Sequence, residues 1–280
     1  MKLREIYSGS KTVISFEVFP PKSDIDKLLQ EIKILEKHNP AFISLTYGAG
    51  GSENKSFDLL KQIKSTGVNV MPHFTCISSS KESIEADMKK LGDIGIENIL
   101  ALRGDIPENN ELCRNDFRYA NELVSFIKAK TNFSTGVAGY PEGHIESPDL
   151  KTDIENLKKK VYAGADAIFT QLFFDNDLFF YYVNRVRNAG IEIPVIAGIM
   201  PVISEKQVNR MISMANISVP DKLKQNIQKF KGKDLIAYGI EFASSQCSAL
   251  IKEGVKGLHF FTLNKAYSAN RILDNIKEEI

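Results

Sequence analysis

Eight short apolar runs, rich in β-branched residues and separated by helical patterns, constrain this chain more than any other feature. They are Thr12–Phe19, Ala41–Tyr47, Val68–Cys76, Asn98–Arg103, Ser134–Gly139, Ala167–Phe174, Pro194–Val202 and Leu258–Leu263. Near-continuous hydrophobicity over so few residues marks strands buried on both faces, the condition of a parallel sheet covered by helices. The intervening segments carry helical periodicity. Ile25, Leu28, Leu29, Ile32 and Leu35 share a face behind a Ser23-x-x-Asp26 capping signal. Ile84, Met88 and Leu91 do so behind Ser79-x-x-Glu82, with Gly95 as a stop, and Ile154, Leu157 and Val161 behind Thr152-x-x-Glu155, with Gly164 beyond.

Eight strands, each followed by a helix, is the count of a (β/α)₈ TIM barrel; a doubly wound sheet has fewer strands and a glycine-rich first turn. The expected fold is therefore α/β, a (β/α)₈ TIM barrel in one domain over 1–280. One irregularity is expected between strands 7 and 8, where Ser204–Met214, Pro220–Phe230 and Asp234–Ile251 exceed a single crossover helix.

The 36 basic side chains balance 35 acidic ones, so no global field gathers phosphate backbones or acidic membranes, and neither a nucleic-acid nor a membrane partner is expected. Cys76, Cys113 and Cys247 form no C-x-x-C, and His38, His73, His144 and His259 have no H-E-x-x-H spacing, so no disulfide framework and no metal site are expected. Met1–Lys11 lacks the apolar core of a secretory signal. The longest apolar stretch, Ile193–Ile203, is broken by Pro194 and Pro201 and falls short of the roughly 20 residues of a membrane span. A cytoplasmic location is expected.

In a barrel the chemistry gathers at the carboxyl ends of the strands, which turns the sequence into a positional list. Glu17 interrupts the first strand just before Pro20-Pro21. Beside Phe16, Val18 and Phe19 its carboxyl is expected to be pushed up by desolvation, as suits a general acid. Thr46-Tyr47-Gly48-Ala49-Gly50-Gly51 ends the second strand, His73 sits in the third, and Arg103-Gly104-Asp105 ends the fourth. Tyr140 to His144 follow the fifth, Thr170-Gln171 lies in the sixth, and Thr262-Leu263-Asn264 finishes the eighth. Each alone has an ordinary reading, a loop-capping carboxylate or a satisfied core histidine, and Lys158-Lys159-Lys160 reads as a solvated helix face. Their shared location is what points to a site. Gly48, Gly50 and Gly51 match neither a Rossmann fingerprint nor a P-loop.

So placed, these residues make the chain resemble the methylenetetrahydrofolate reductase family, in the short bacterial form that is the catalytic domain only. The carriers are Ser15–Lys22, Thr46–Gly51, Pro72–Cys76, Ala101–Asp105, Gly139–His144, Ala163–Asp166 running to Thr170–Asp175, Gly198–Pro201 and Gly257–Asn264. The resemblance implies FAD bound in the barrel mouth without a Rossmann turn, against Thr46, His73, Arg103, Gly104, Asp105, Tyr119, Ala138, Tyr140, His144, Asp153 and Lys160. It implies a ping-pong reaction in which NADH or NADPH reduces the flavin, which then reduces 5,10-methylenetetrahydrofolate to 5-methyltetrahydrofolate for methionine synthesis. Glu17 would be the acid that protonates N10 as the imidazolidine ring opens. Asp105, kept ionised, would favour the iminium cation. Gln171 would orient pterin or nicotinamide, Lys265 would meet the substrate's glutamate tail, and the family's habit implies a homo-oligomer.

Two departures stand out: Glu205 where some relatives carry an aromatic residue, and Lys265 where relatives can carry arginine, which gives a point charge in place of a bidentate clamp. Two alternatives stay open. One is a flavin-free barrel lyase or aldolase with Glu17 and Asp105 as acid and base; the other is a flavoprotein subunit fed electrons by a partner protein.

Overall fold

The computed structural model describes residues 1–46, 53–105, 116–215 and 217–280. Strands β1 (Val13–Val18), β2 (Phe42–Leu45), β3 (Val70–Thr75), β4 (Asn98–Leu102), β5 (Ser134–Gly139), β6 (Ala167–Leu172), β7 (Val195–Ile199) and β8 (Gly257–Phe261) form a closed parallel barrel in sequence order. Closure pairs β1 with β8, setting Ser15 opposite His259 and Glu17 opposite Phe261. Helix α1 (Leu3–Ile6) precedes β1, and α2 (Ile25–Leu35), α3 (Glu53–Ser65), α4 (Lys81–Asp93), α5 (Ala120–Lys130), α6 (Leu150–Tyr162) and α7 (Asn176–Asn188) follow the first six strands in turn. The irregularity expected after β7 is present as α8 (Glu205–Ala215), α9 (Asp221–Lys229) and α10 (Gly232–Lys252), and α11 (Ala266–Asn275) closes the ring.

The two-residue period of the strands divides the core into two shells. Phe16, Val18, Ile43, Leu45, Phe74 and Val137 face outward under the helices, where Leu28, Ile32, Leu59, Met88 and Leu123 cover them. Phe42, Met71, Leu100, Phe169 and Ile196 fill the interior, and Leu3, Ile6 and Tyr7 plug its amino-terminal end. Gly136 makes room for this filling, since a Cβ there would lie 2.6 Å from the Phe169 ring. A third cluster packs Val208, Leu223, Ile227 and Leu235 of the extra helices on Leu172, Phe174, Met200 and Val202, which roofs the carboxyl ends of β6 and β7. Among the described residues no helix is long and apolar enough to cross a membrane.

The helix caps differ from the sequence expectation. Asp24, not Ser23, caps α2 by accepting from the Lys27 N–H at 2.9 Å. Ser80, not Ser79, caps α4 through reciprocal bonds with Ser83. Asp149 caps α6 by accepting from the Thr152 N–H at 2.7 Å, so Thr152 lies inside the first turn. In each case the oxygen that reaches a free first-turn amide takes the role, wherever a capping pattern falls in the sequence. Because α2 begins at Ile25, that side chain hangs off the end of the apolar stripe and is exposed.

At the amino-terminal end, Asp166 ties α1, α5 and β5 to the segment before β6. Its carboxylate, 4% exposed, accepts from Arg4 Nε at 2.5 Å, Lys128 Nζ at 2.6 Å, Ser134 Oγ at 2.8 Å and the Thr135 N–H at 2.9 Å. Burial acts upward on its pKa, but the bonds from Lys128, Thr135 and Ser134 outweigh it and hold the carboxyl below its ordinary value. A folded-state pKa below the unfolded value of about 3.9 gives stability that is present above that value and lost as the pH falls through the folded one. Asp166→Asn is therefore expected to lower the unfolding free energy near pH 7 by about 1 to 2 kcal/mol in urea denaturation. The gap from the parent protein should narrow as the pH drops below about 4.

Candidate active site

Inward parity on β1 carries Glu17 into the barrel mouth, and the polar inward positions of its neighbours meet it there. Glu17 Oε2 lies 3.3 Å from His73 Nε2 and 3.9 Å from His259 Nε2. The same nitrogen of His73 is 3.1 Å from Ser44 Oγ, and His259 Nδ1 is 2.8 Å from Ser15 Oγ. The His259 ring is buried among Phe42, Phe169 and Phe261, with centroids 5.4 to 6.1 Å away. Its Nε2 has no hydrogen-bond partner among the described residues, because 3.9 Å to Glu17 is an electrostatic contact and not a hydrogen bond. Burial pushes the His259 pKa down, against the opposing pull of the Glu17 carboxylate.

The expected upward shift of Glu17 is overturned. Burial does act upward and is the largest single influence, but the charge of His73 and the contacts with both imidazoles prevail and lower the carboxyl to about 2. The physical reason is parity. Phe16 and Val18, its neighbours in sequence, point outward into the helix layer, and Phe19 is 38% exposed, so these residues do not set the carboxyl's surroundings. Its neighbours in space are two imidazoles.

Beside this cluster, a cavity of about 510 Å³ opens between the ends of β4 and β5 and helices α5 and α6. Arg103, Tyr119, Ala138, Tyr140, His144, Asp153 and Lys160, all singled out from sequence, line it together. Tyr140 meets His144 edge to face at 4.6 Å, and Asp153, buried, accepts from Ser147 Oγ at 3.1 Å. Burial, reinforced by the Asp153 charge, pushes Tyr140 up to about 12. Lys160 Nζ donates to the Ala138 carbonyl at 2.9 Å and lies 5.7 Å from the centre of the Tyr140 ring. Among the described residues no carboxylate forms an ion pair with it. Burial pushes it down to about 8, opposed by Asp153. Arg103 is held bidentate by Glu146 at 2.5 and 2.7 Å on the cavity rim.

The remaining candidates divide between these two regions and the surface. Thr46 donates its N–H to the Val18 carbonyl at the end of β2, next to Glu17. His73 faces Glu17 and does not line the cavity. Gly104 adopts φ +89°, and a Cβ there would lie 2.7 Å from Ile77, so only glycine turns the chain to present the exposed Asp105. Gln171 sits at a register shift between β6 and β7, with its Oε1 accepting from the Leu172 N–H at 2.9 Å. Lys265 lines a separate groove of about 400 Å³ with Pro21, Lys27 and Tyr267. Glu205 is engaged by Lys231 at 2.6 Å. Tyr47–Gly51 and Cys113 lie outside the described residues.

Sequence reasoning missed His259 as a neighbour of Glu17, Ser15 and Ser44 as partners of the two imidazoles, and Asn121, Glu146, Ser147, Asn156 and Lys159 in the cavity lining. The signals were there: Ser15 stands two residues before Glu17 on one strand face, and Asn156 falls between Asp153 and Lys160 at helical spacing. A larger concavity of about 790 Å³, around Glu85, Met88 and Phe133, lies on the outer wall away from the strand carboxyl ends. Among the described residues no group of three or more His, Cys, Asp or Glu side chains is disposed to hold a metal ion.

The family profile of methylenetetrahydrofolate reductase matches residues 2–277. The chain belongs to the methylenetetrahydrofolate reductase family. It is 37% identical to the 5,10-methylenetetrahydrofolate reductase of Escherichia coli, over 90% of this chain and 86% of that protein. Against the methylenetetrahydrofolate reductase (NADH) 1 of Arabidopsis thaliana it is 38% identical over 98% of this chain, which spans only 50% of the plant protein. The chain thus covers about half the length of the plant relatives it matches. Among solved structures, an uncharacterized protein from Clostridium thermocellum that binds two copies of 5-methyl-5,6,7,8-tetrahydrofolic acid has the same fold. The TM-score is 0.68 at 12% identity, over 99% of this chain and 98% of that one.

For this reductase-family barrel the Glu17 cluster makes a direct prediction. His73→Asn removes two of the four influences that hold the Glu17 carboxyl down and leaves burial opposed by His259 alone, so the carboxyl should titrate higher than in the parent protein. Carbon-detected NMR of labelled glutamate carboxyls between about pH 2 and pH 7 would read the change.

Proposed function

We propose that this protein reduces 5,10-methylenetetrahydrofolate to 5-methyltetrahydrofolate, with NADH or NADPH as electron donor and FAD as resident cofactor, in a ping-pong sequence that supplies methyl groups for methionine synthesis. One observation carries the reading: a carboxylate flanked by two imidazoles stands at the barrel mouth beside a cavity whose half-buried Lys160 ammonium forms no ion pair among the described residues. Membership of the reductase family supports the same substrate. Cys76 and Cys247 are free and buried, which suits a reducing, cytoplasmic compartment.

The cavity residues fit FAD. Lys160 offers a desolvated positive charge, and Arg103, on the rim, can exchange Glu146 for a phosphate oxygen. Arg103, Tyr119, Ala138, Tyr140, His144, Asp153 and Lys160 would hold the cofactor along the cavity, with Thr46, His73, Gly104 and Asp105 at the strand ends towards Glu17. FAD bound there supplies the two-electron chemistry that joins nicotinamide oxidation to folate reduction.

The chain's own residues manage the proton. Opening the imidazolidine ring needs a proton at N10, and Glu17 in the open mouth is ionised. A carboxylate beside an imidazolium and a carboxylic acid beside a neutral imidazole carry the same net charge. Loss of water favours the neutral pair, because isolated charges cost more in a low-dielectric setting. A substrate that seals the mouth thus favours the proton on Glu17 Oε2 within the carboxylate–imidazole pair, and N10 takes it from there. The regenerated carboxylate, with Asp105, then faces the iminium cation and stabilises it. Gln171 presents its amide for pterin or nicotinamide, and Lys265 offers a single charge to the glutamate tail.

Anaerobic stopped-flow absorbance at the flavin band tests the reading. Nicotinamide should bleach the loaded protein, and methylenetetrahydrofolate should restore the colour; flavin that nicotinamide cannot bleach would defeat it. Glu17→Gln is expected to slow the folate half-reaction by roughly 10²- to 10⁴-fold while flavin is still reduced by nicotinamide. Unimpaired folate turnover would remove Glu17 from the mechanism. Lys160→Met should weaken FAD binding by about 10- to 100-fold in a fluorescence titration.

A further inference from the structure

We propose that Asn264 is a positioning residue for the reaction, clamping the segment that follows Glu17 to the end of β8 and so fixing the carboxylate against its imidazole partners. The inference rests on Glu17 as the proton donor. Asn264 lies in the loop between β8 and α11, where the regular ladder has ended: the last β1–β8 pair is Glu17 with Phe261. Its side chain continues that ladder. Oδ1 accepts from the Phe19 N–H at 2.9 Å, and Nδ2 donates to the Phe19 carbonyl at 2.8 Å, so one amide satisfies both backbone groups of a single residue.

Two residues earlier, Thr262 donates from Oγ1 to the Glu17 carbonyl at 2.7 Å, and its N–H points to the same oxygen at 3.3 Å. Thr262 Oγ1 in turn accepts from the Asn264 N–H at 3.2 Å. Glu17 and Phe19 are thereby tied to one tripeptide on either side of Val18. Pro20 and Pro21 follow Phe19. Neither has an N–H to give, so the Phe19 amide is the last donor by which the chain leaving β1 can be held before the mouth loop.

The loop adopts a costly backbone to make this contact. Leu263 and Asn264 are consecutive left-handed residues, at φ 51° and 59°, and leucine is poorly suited to that region. Such strain persists where surrounding structure over-determines it, and it clusters at functional sites. The benefit falls on a short distance: Glu17 Oε2 stands 3.3 Å from His73 Nε2, where a shift of about 1 Å would uncouple the pair.

The test uses the FAD-loaded protein with Asn264→Gly, which keeps the left-handed backbone without strain while removing the clamp, and Asn264→Asp, which keeps an acceptor and loses the donor. Flavin reduction by nicotinamide should change less than about twofold and reports an intact barrel. The folate half-reaction should slow by about 10- to 100-fold in kcat, with its KM changing far less. Free of its imidazole partners, Glu17 should titrate higher in carboxyl NMR, and the pH profile of the folate step should move with it; a purely structural role would move neither. Asn264→Gly with the parent's folate rate, pH profile and Glu17 titration would overturn the clamp. Glu17→Gln run beside it separates the two failures. Folate turnover surviving in Glu17→Gln would overturn the proton-donor assignment, and the clamp with it. An inactive Glu17→Gln beside a fully active Asn264→Gly would overturn the clamp alone.

Discussion

Closure of β1 onto β8 is the constraint from which the site follows. The two strands are some 240 residues apart in sequence, and the parallel register between them, Ser15 with His259 and Glu17 with Phe261, decides which side chains share the barrel interior. A shift of one residue would turn Glu17 into the helix layer and bring Phe16 into the mouth. Register is held from both sides of the sheet. Phe16 and Phe260 pack outside, and inside His259 fits between Phe42, Phe169 and Phe261.

The two ends of the barrel use buried carboxylates in opposite ways. Asp166, at the amino-terminal end, has its oxygens filled by two cations, a hydroxyl and an amide, and it binds four segments of chain together. Glu17, at the carboxyl end, has imidazoles on two sides, and one of the facing nitrogens has no hydrogen-bond partner among the described residues. A saturated carboxylate serves stability. One whose neighbours can also hold a proton is suited to chemistry, because small changes in solvation decide which atom carries it. The cavity at the ends of β4 and β5 follows the same logic with charge reversed: Arg103 is paired with a carboxylate, whereas Lys160 donates to a carbonyl and, among the described residues, forms no ion pair.

Much of the architecture was legible in the chain. The run Ser134–Gly139 is β5 residue for residue, and the material between strands 7 and 8 became three helices within two residues of the expected bounds. Arg103, Tyr119, Ala138, Tyr140, His144, Asp153 and Lys160, named from the chain, line one cavity. The failures were local and electrostatic. Asp24, Ser80 and Asp149 took the caps because capping depends on where an oxygen can reach, which a motif only approximates. Glu17 went the other way in pKa because sequence neighbours on a strand lie on opposite faces, so Phe16 and Val18 told nothing about the carboxyl's surroundings.

The sequence by itself determined the period and order of the elements, hence a barrel with its polar residues at the strand ends, since hydrophobic periodicity and turn chemistry are properties of neighbouring residues. Only the tertiary structure decided the company those residues keep. It brought His259 and His73 to Glu17, turned Lys160 onto the Ala138 carbonyl, and aimed the Asn264 amide at Phe19. The reason is range. Charge state and side-chain pairing depend on atoms within a few ångströms in space, and in a closed barrel those atoms come from opposite ends of the chain.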